Sequence, residues 1–121
     1  MRILLVAMSD SIHTARWISQ IADQGWDIHL FPSVDYGITH PDIRNITVYH
    51  FLYAEGGKEA KNRGIPVFSK NIALLGGMFI KRYLPRYRAV RLKRLIRKLR
   101  PDIIHSMEIQ HAGCKCNYSF L

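Results

Sequence analysis

Cysteine is scarce in this chain: Cys114 and Cys116 are the only two, both within the last eight residues. They cannot staple a core, and a bridge between positions i and i+2 would be strained. Glutamate and aspartate are missing from Ala60 to Pro101. No apolar run approaches the roughly 20 residues that a membrane-spanning helix needs. The opening run Ile3–Met8 is too short for a signal sequence, and Ser9-Asp10-Ser11 follows it without a small-residue cleavage pattern. A cytoplasmic location is expected. The G-x-G-x-x-G fingerprint is also missing, which argues against a nicotinamide or flavin dinucleotide site. No helix-turn-helix, zinc or RNA-binding signature accompanies the basic charge, so no specific nucleic-acid partner is expected.

What is present is concentrated. The chain of 121 residues has room for one domain with one apolar core. Ten of its eighteen Lys and Arg lie between Lys81 and Arg100. The remaining eight basic residues face nine acidic ones, so the formal +9 belongs to one segment.

Ile3–Met8 reads as a parallel strand covered on both faces. Ser9-Asp10-Ser11 offers N-cap oxygens to a helix whose Ile12, Ala15, Ile18, Ile21 and Ala22 recur at helical spacing. Gly25 suits the left-handed position that closes such a helix. Trp26–Phe31 is a second strand halted by Pro32, and Ile46–Leu52 a third. Between Tyr53 and Gly77 the glycines and Pro66 predict loops, with one short helix around Ser69–Leu75. Pro85 suits the first turn of a helix on which Tyr87, Val90, Leu92, Leu95, Ile96 and Leu99 form an apolar stripe. Arg100-Pro101 ends it, and Asp102–His105 makes the last strand. The order predicts an α/β fold: a Rossmann-like parallel sheet with flanking helices.

Two stretches, MRILLVAMSDSIHTARWISQIADQGWDIHLF and LKRLIRKLRPDIIHSMEIQHAG, resemble the N-terminal domain of GT-B fold glycosyltransferases, in particular glycosyltransferase family 4. The resemblance covers residues 1–113. It implies an incomplete half of a two-domain enzyme that moves a sugar from a nucleotide-sugar donor to a saccharide or lipid-linked acceptor, without a metal-binding DXD motif. It implies further that this half holds the acceptor and that the absent domain holds the donor. The loop Met8–His13 lacks the glycine pair that many relatives carry there. Residues 114–121 depart from the family's pattern, as a truncated or frame-shifted reading frame would. The parent enzyme would serve surface polysaccharide synthesis; this chain alone is expected to be inactive, and no cofactor or metal is expected.

Three clusters are the candidate sites. Ser9, Asp10, Ser11 and His13 lie at the end of the first strand and at a helix N-terminus, where free amides attract anions. Ser9–Ser11 equally serve as caps. Glu108 and His111 follow the last strand, one able to accept from sugar hydroxyls and the other to bind or shuttle a proton. His105, inside that strand, is expected to be a buried, hydrogen-bonded histidine. His111 with Cys114 and Cys116 is too slight a pattern for a metal site. The third cluster is Arg82, Arg86, Arg88, Arg91, Lys93, Arg94, Arg97 and Lys98. It reads as a solvated outer face, or as a surface for peripheral contact with the anionic inner face of a membrane. A non-enzymatic α/β module docking through that helix is the alternative function.

Overall fold

A computed structural model describes residues 1–35, 37–54, 60–83 and 85–107. Five strands among them form one parallel sheet: β1 (Arg2–Ala7), β2 (Asp27–Pro32), β3 (Thr47–Ala54), β4 (Lys61–Val67) and β5 (Ile103–Ser106). The strand order is β4-β3-β2-β1-β5. Helices are α1 (Ile12–Ile21), α2 (Lys70–Tyr83) and α3 (Pro85–Leu99), with one 3-10 turn over Ala22–Gln24. This is the α/β, Rossmann-like arrangement expected.

β1 explains why the sheet is layered on both sides. Successive side chains of a strand point to opposite faces. Ile3, Leu5 and Ala7 pack with Ala15 and Ile18 of α1 and with Ile28, Leu30 and Val48. Leu4 and Val6 point the other way, onto Leu92, Leu95 and Leu99 of α3 and onto Phe31. Residues 4–7 are fully buried, which requires a continuous apolar run instead of an alternating one. Each large side chain so buried contributes about 1.5–3 kcal/mol.

Local chemistry sets the helix ends. The Ser11 hydroxyl accepts from the His13 amide at 3.2 Å and caps α1. Gly25 takes φ +70 after the 3-10 turn, the left-handed closure its sequence position predicts. At the opposite rim, Arg2 holds the end of α3. Its guanidinium donates to the Leu99 carbonyl at 2.5 Å and to Asp27 at 2.7 Å.

The segment expected to be mostly loop differs. It contains β4 at the sheet edge and an α2 of fourteen residues, twice the length predicted. β4 has no alternating pattern and contains Gly64 and Pro66, features that normally weaken a strand. Gly64 is required here. It has φ +130, and a Cβ on it would collide with the His50 carbonyl, beside the register shift between Tyr49 and Leu52.

Candidate functional site

Chain order reverses at β1. It pairs β2 on one side and β5 on the other, both in parallel register. α1 leaves β1 on one face, while the helix leading into β5 lies on the other face. A crevice at the carboxyl ends of β1 and β5 is where open α/β sheets bind ligands. The loop after β1 and the chain leaving β5 share that rim, since Ser106 is in register with Val6 and the Met107 amide donates to the Val6 carbonyl at 3.1 Å.

Within the first cluster the four side chains have different tasks. Ser9 is buried, and its hydroxyl donates to the Ile38 carbonyl at 2.7 Å. Its own carbonyl accepts from the His40 amide at 2.7 Å, so Ser9 fastens the 33–46 loop to the rim and is not directed at a ligand. Ser11 is occupied as the helix cap. His13 is exposed on the first turn of α1. Asp10 has a buried Oδ1 with no hydrogen-bond partner among the described residues. A buried unpaired carboxylate oxygen is costly, and a hydroxyl donor brought by a ligand would relieve it. α1 has no acidic residue in its first turn to occupy its N-terminal amides.

Glu108 and His111 lie outside the described residues. His105 corrects the expectation of a buried, hydrogen-bonded ring. It is exposed on the edge strand β5 and stacks on Trp17 of α1, ring centroids 4.8 Å apart and nearly parallel.

The basic helix is less uniform than its sequence suggests. Arg88, placed by sequence on the basic surface, is 4% exposed and donates to the Pro32 carbonyl at 2.6 Å. Arg91 is half-buried, donates to the His50 carbonyl at 2.9 Å, and lies 5.9 and 5.6 Å from the Phe31 and Phe51 ring centroids. The stripe of apolar residues turns these two inward as well. Burial lowers the pKa of both guanidinium groups, opposed by the Asp35 carboxylate. Arg86, Arg94, Arg97 and Lys98 remain exposed, and Lys93 is half-buried. Arg82 belongs to α2, not to the basic helix α3.

Sequence reasoning missed a polar chain on the α1 side of the sheet. Asp35, just past the end of β2, accepts from the Gly37 amide at 3.0 Å and the Phe51 amide at 2.7 Å. Its Oδ1 lies 2.9 Å from His50 Nδ1, and His50 Nε2 lies 2.8 Å from the Thr39 hydroxyl. Thr39 in turn donates to Asn62 of β4 at 2.9 Å. Burial pushes the Asp35 carboxyl up, but the His50 contact, its charge and the two amides outweigh it, leaving the pKa below the ordinary value. The chain ties the 33–46 loop to β3 and β4. The signal was Asp35 two residues before Gly37, an Asx-turn pattern at a strand end.

A family model described as glycosyl transferase 4-like matches residues 2–115. The chain belongs to this family. No curated protein and no solved structure matches it. The parallel sheet with flanking helices is consistent with the N-terminal half of a GT-B enzyme, and glycosyl transfer in general is the role that membership supports. In this glycosyl transferase 4-like domain, the carboxyl ends of β1 and β5 lie where the chain order reverses.

Proposed function

We propose that this domain is the acceptor-holding half of a transferase that moves a sugar from a nucleotide-sugar donor to a saccharide or lipid-linked acceptor. The observation that carries the reading is the buried Asp10 Oδ1, without a partner among the described residues, at the switch-point rim of a glycosyl transferase 4-like fold. Asp10 accepts from an acceptor hydroxyl, and His13 lines the same opening. Glu108 and His111 follow β5 in sequence from that rim and complete the set. The donor binds a second α/β domain facing the rim. A titration of the protein with mono- and disaccharides, followed calorimetrically, tests this. Saturable binding that Asp10→Asn weakens about tenfold supports it, that being the worth of one hydrogen bond to a charged group. Equal binding by wild type and Asp10→Asn would count against it.

A membrane location for this work is favoured by one further observation. Phe68 is fully exposed, and Ile72, Leu75, Met78 and Phe79 are half-exposed on α2, which packs beside α3. Apolar side chains next to exposed arginines suit an anionic bilayer surface, where each cation adds roughly 1 kcal/mol. The protein then works peripherally on the cytoplasmic face of the membrane. Liposome flotation checks it: co-flotation with acidic vesicles, lost in Ile72→Ser/Leu75→Ser, is expected. Flotation unaffected by that change would remove α2 from the account.

A further inference from the structure

A second concave feature lies lower on the sheet than the rim loops, on the α3 face. Arg91, Arg94 and Lys98 are spaced i, i+3 and i+7, so they fall on one stripe of α3. Tyr49 and Arg63 are register partners on β3 and β4, and Tyr49 packs on the α3-side core. Parallel partners project to the same face, which brings Arg63 across from the α3 stripe. Between them is a groove of about 300 Å³, at the lower end of the roughly 300–1,000 Å³ common for small-molecule sites.

We propose that this groove, floored by Phe31 and Tyr49 and ringed by Arg63, Arg91, Arg94 and Lys98, binds a phosphoryl-bearing anion.

Three features support this. Among the described residues, four cations and no carboxylate line the groove. Arg91 is held in place by the His50 carbonyl and two aromatic rings, leaving its remaining guanidinium donors fixed in direction. Arg63 and Arg94 are exposed and can close over a ligand from opposite walls. Planar forks and an ammonium group around an apolar floor match phosphate oxygens carried on a less polar body. The alternative groove, beside Arg100, Pro101 and Asp102, includes a carboxylate and lacks such convergence.

The site is independent of the sugar-holding rim, and the probe is inorganic pyrophosphate. Calorimetry on the whole chain at fixed ionic strength should show saturable, single-site binding. Arg63→Gln/Arg94→Gln should weaken it at least tenfold, from loss of two charge-assisted hydrogen bonds. Arg97→Gln, which removes one positive charge from α3 outside the groove, should leave it within about twofold. Far-UV circular dichroism verifies that the variants fold. In the wild-type protein, pyrophosphate should shift the amide resonances of Tyr49, Arg63 and Lys98, a readout that needs no variant. Vesicles then separate the two sources of the phosphoryl group. Displacement of pyrophosphate by phosphatidylglycerol vesicles, but not by phosphatidylcholine vesicles, assigns a lipid headgroup; no displacement by either assigns a soluble phosphorylated ligand. Absent saturation, shifts confined to other residues, or an equal loss in Arg97→Gln would each overturn the proposal.

Discussion

Replacing Asp35 by alanine removes the hub of the polar chain that fixes the 33–46 loop. Three groups lose their partner together: the Gly37 amide, the Phe51 amide and the His50 ring. His50 is 1% exposed and Asp35 5% exposed, so water cannot readily replace the carboxylate. Each buried group left without its hydrogen-bond partner costs about 1–3 kcal/mol. These losses overlap, so we expect about 4 kcal/mol in all, a large share of the 5–15 kcal/mol that stabilises typical domains. Urea unfolding followed by Trp17 and Trp26 fluorescence would read this as a lower midpoint at unchanged slope. The loss also carries a pH signature. The folded Asp35 pKa is lowered from its ordinary value of 3.8, so the unfolded state binds the proton more readily. Asp35 therefore stabilises the fold above that ordinary value, and the contribution disappears as pH falls through the folded pKa. Wild type should approach the alanine variant in stability toward strong acid. A variant within about 1 kcal/mol of wild type at neutral pH, or a gap that does not narrow in acid, would refute the reasoning.

Two other outcomes follow from the packing. Gly64→Ala should destabilise by more than about 1 kcal/mol, because it combines a strained φ with a collision against the His50 carbonyl; thermal melts would show it. Arg88→Met should cost about 2–3 kcal/mol in urea unfolding by leaving the Pro32 carbonyl unpaired, while Arg97→Met on the exposed side stays within about 0.5 kcal/mol.

Much of this was legible in residues 1–31. The apolar run, the Ser11 cap and Gly25 each carry a local physical reason for their conformation, and α1 and β1 form where those reasons place them. The apolar stripe of α3 was equally plain for Leu92, Leu95 and Leu99, though Tyr87 and Val90 stay about 40% exposed. β4 was not legible. Its conformation comes from pairing with β3 and from one glycine that avoids a neighbour's carbonyl, and neither leaves a periodic trace. α2 was underestimated because Gly76 and Gly77 read as helix breakers. Gly76 is there for close packing, since a Cβ would strike the Leu52 side chain. At the rim, the sequence did not show how the side chains of the Ser9–His13 loop divide their tasks. Only the folded structure separates Ser9, spent on Ile38, from Asp10, whose Oδ1 has no partner among the described residues. His105 was misjudged because a strand position suggests burial, whereas β5 is an edge strand whose outer side chains stay open.

Amide chemical-shift mapping of the protein with a saccharide acceptor tests the central claim most directly. If the switch-point rim is the sugar-holding wall, shifts will cluster at residues 10–13 and at Ser106 and Met107. Shifts clustered instead around Asp27, Arg100 and Asp102, at the opposite ends of the strands, would contradict it.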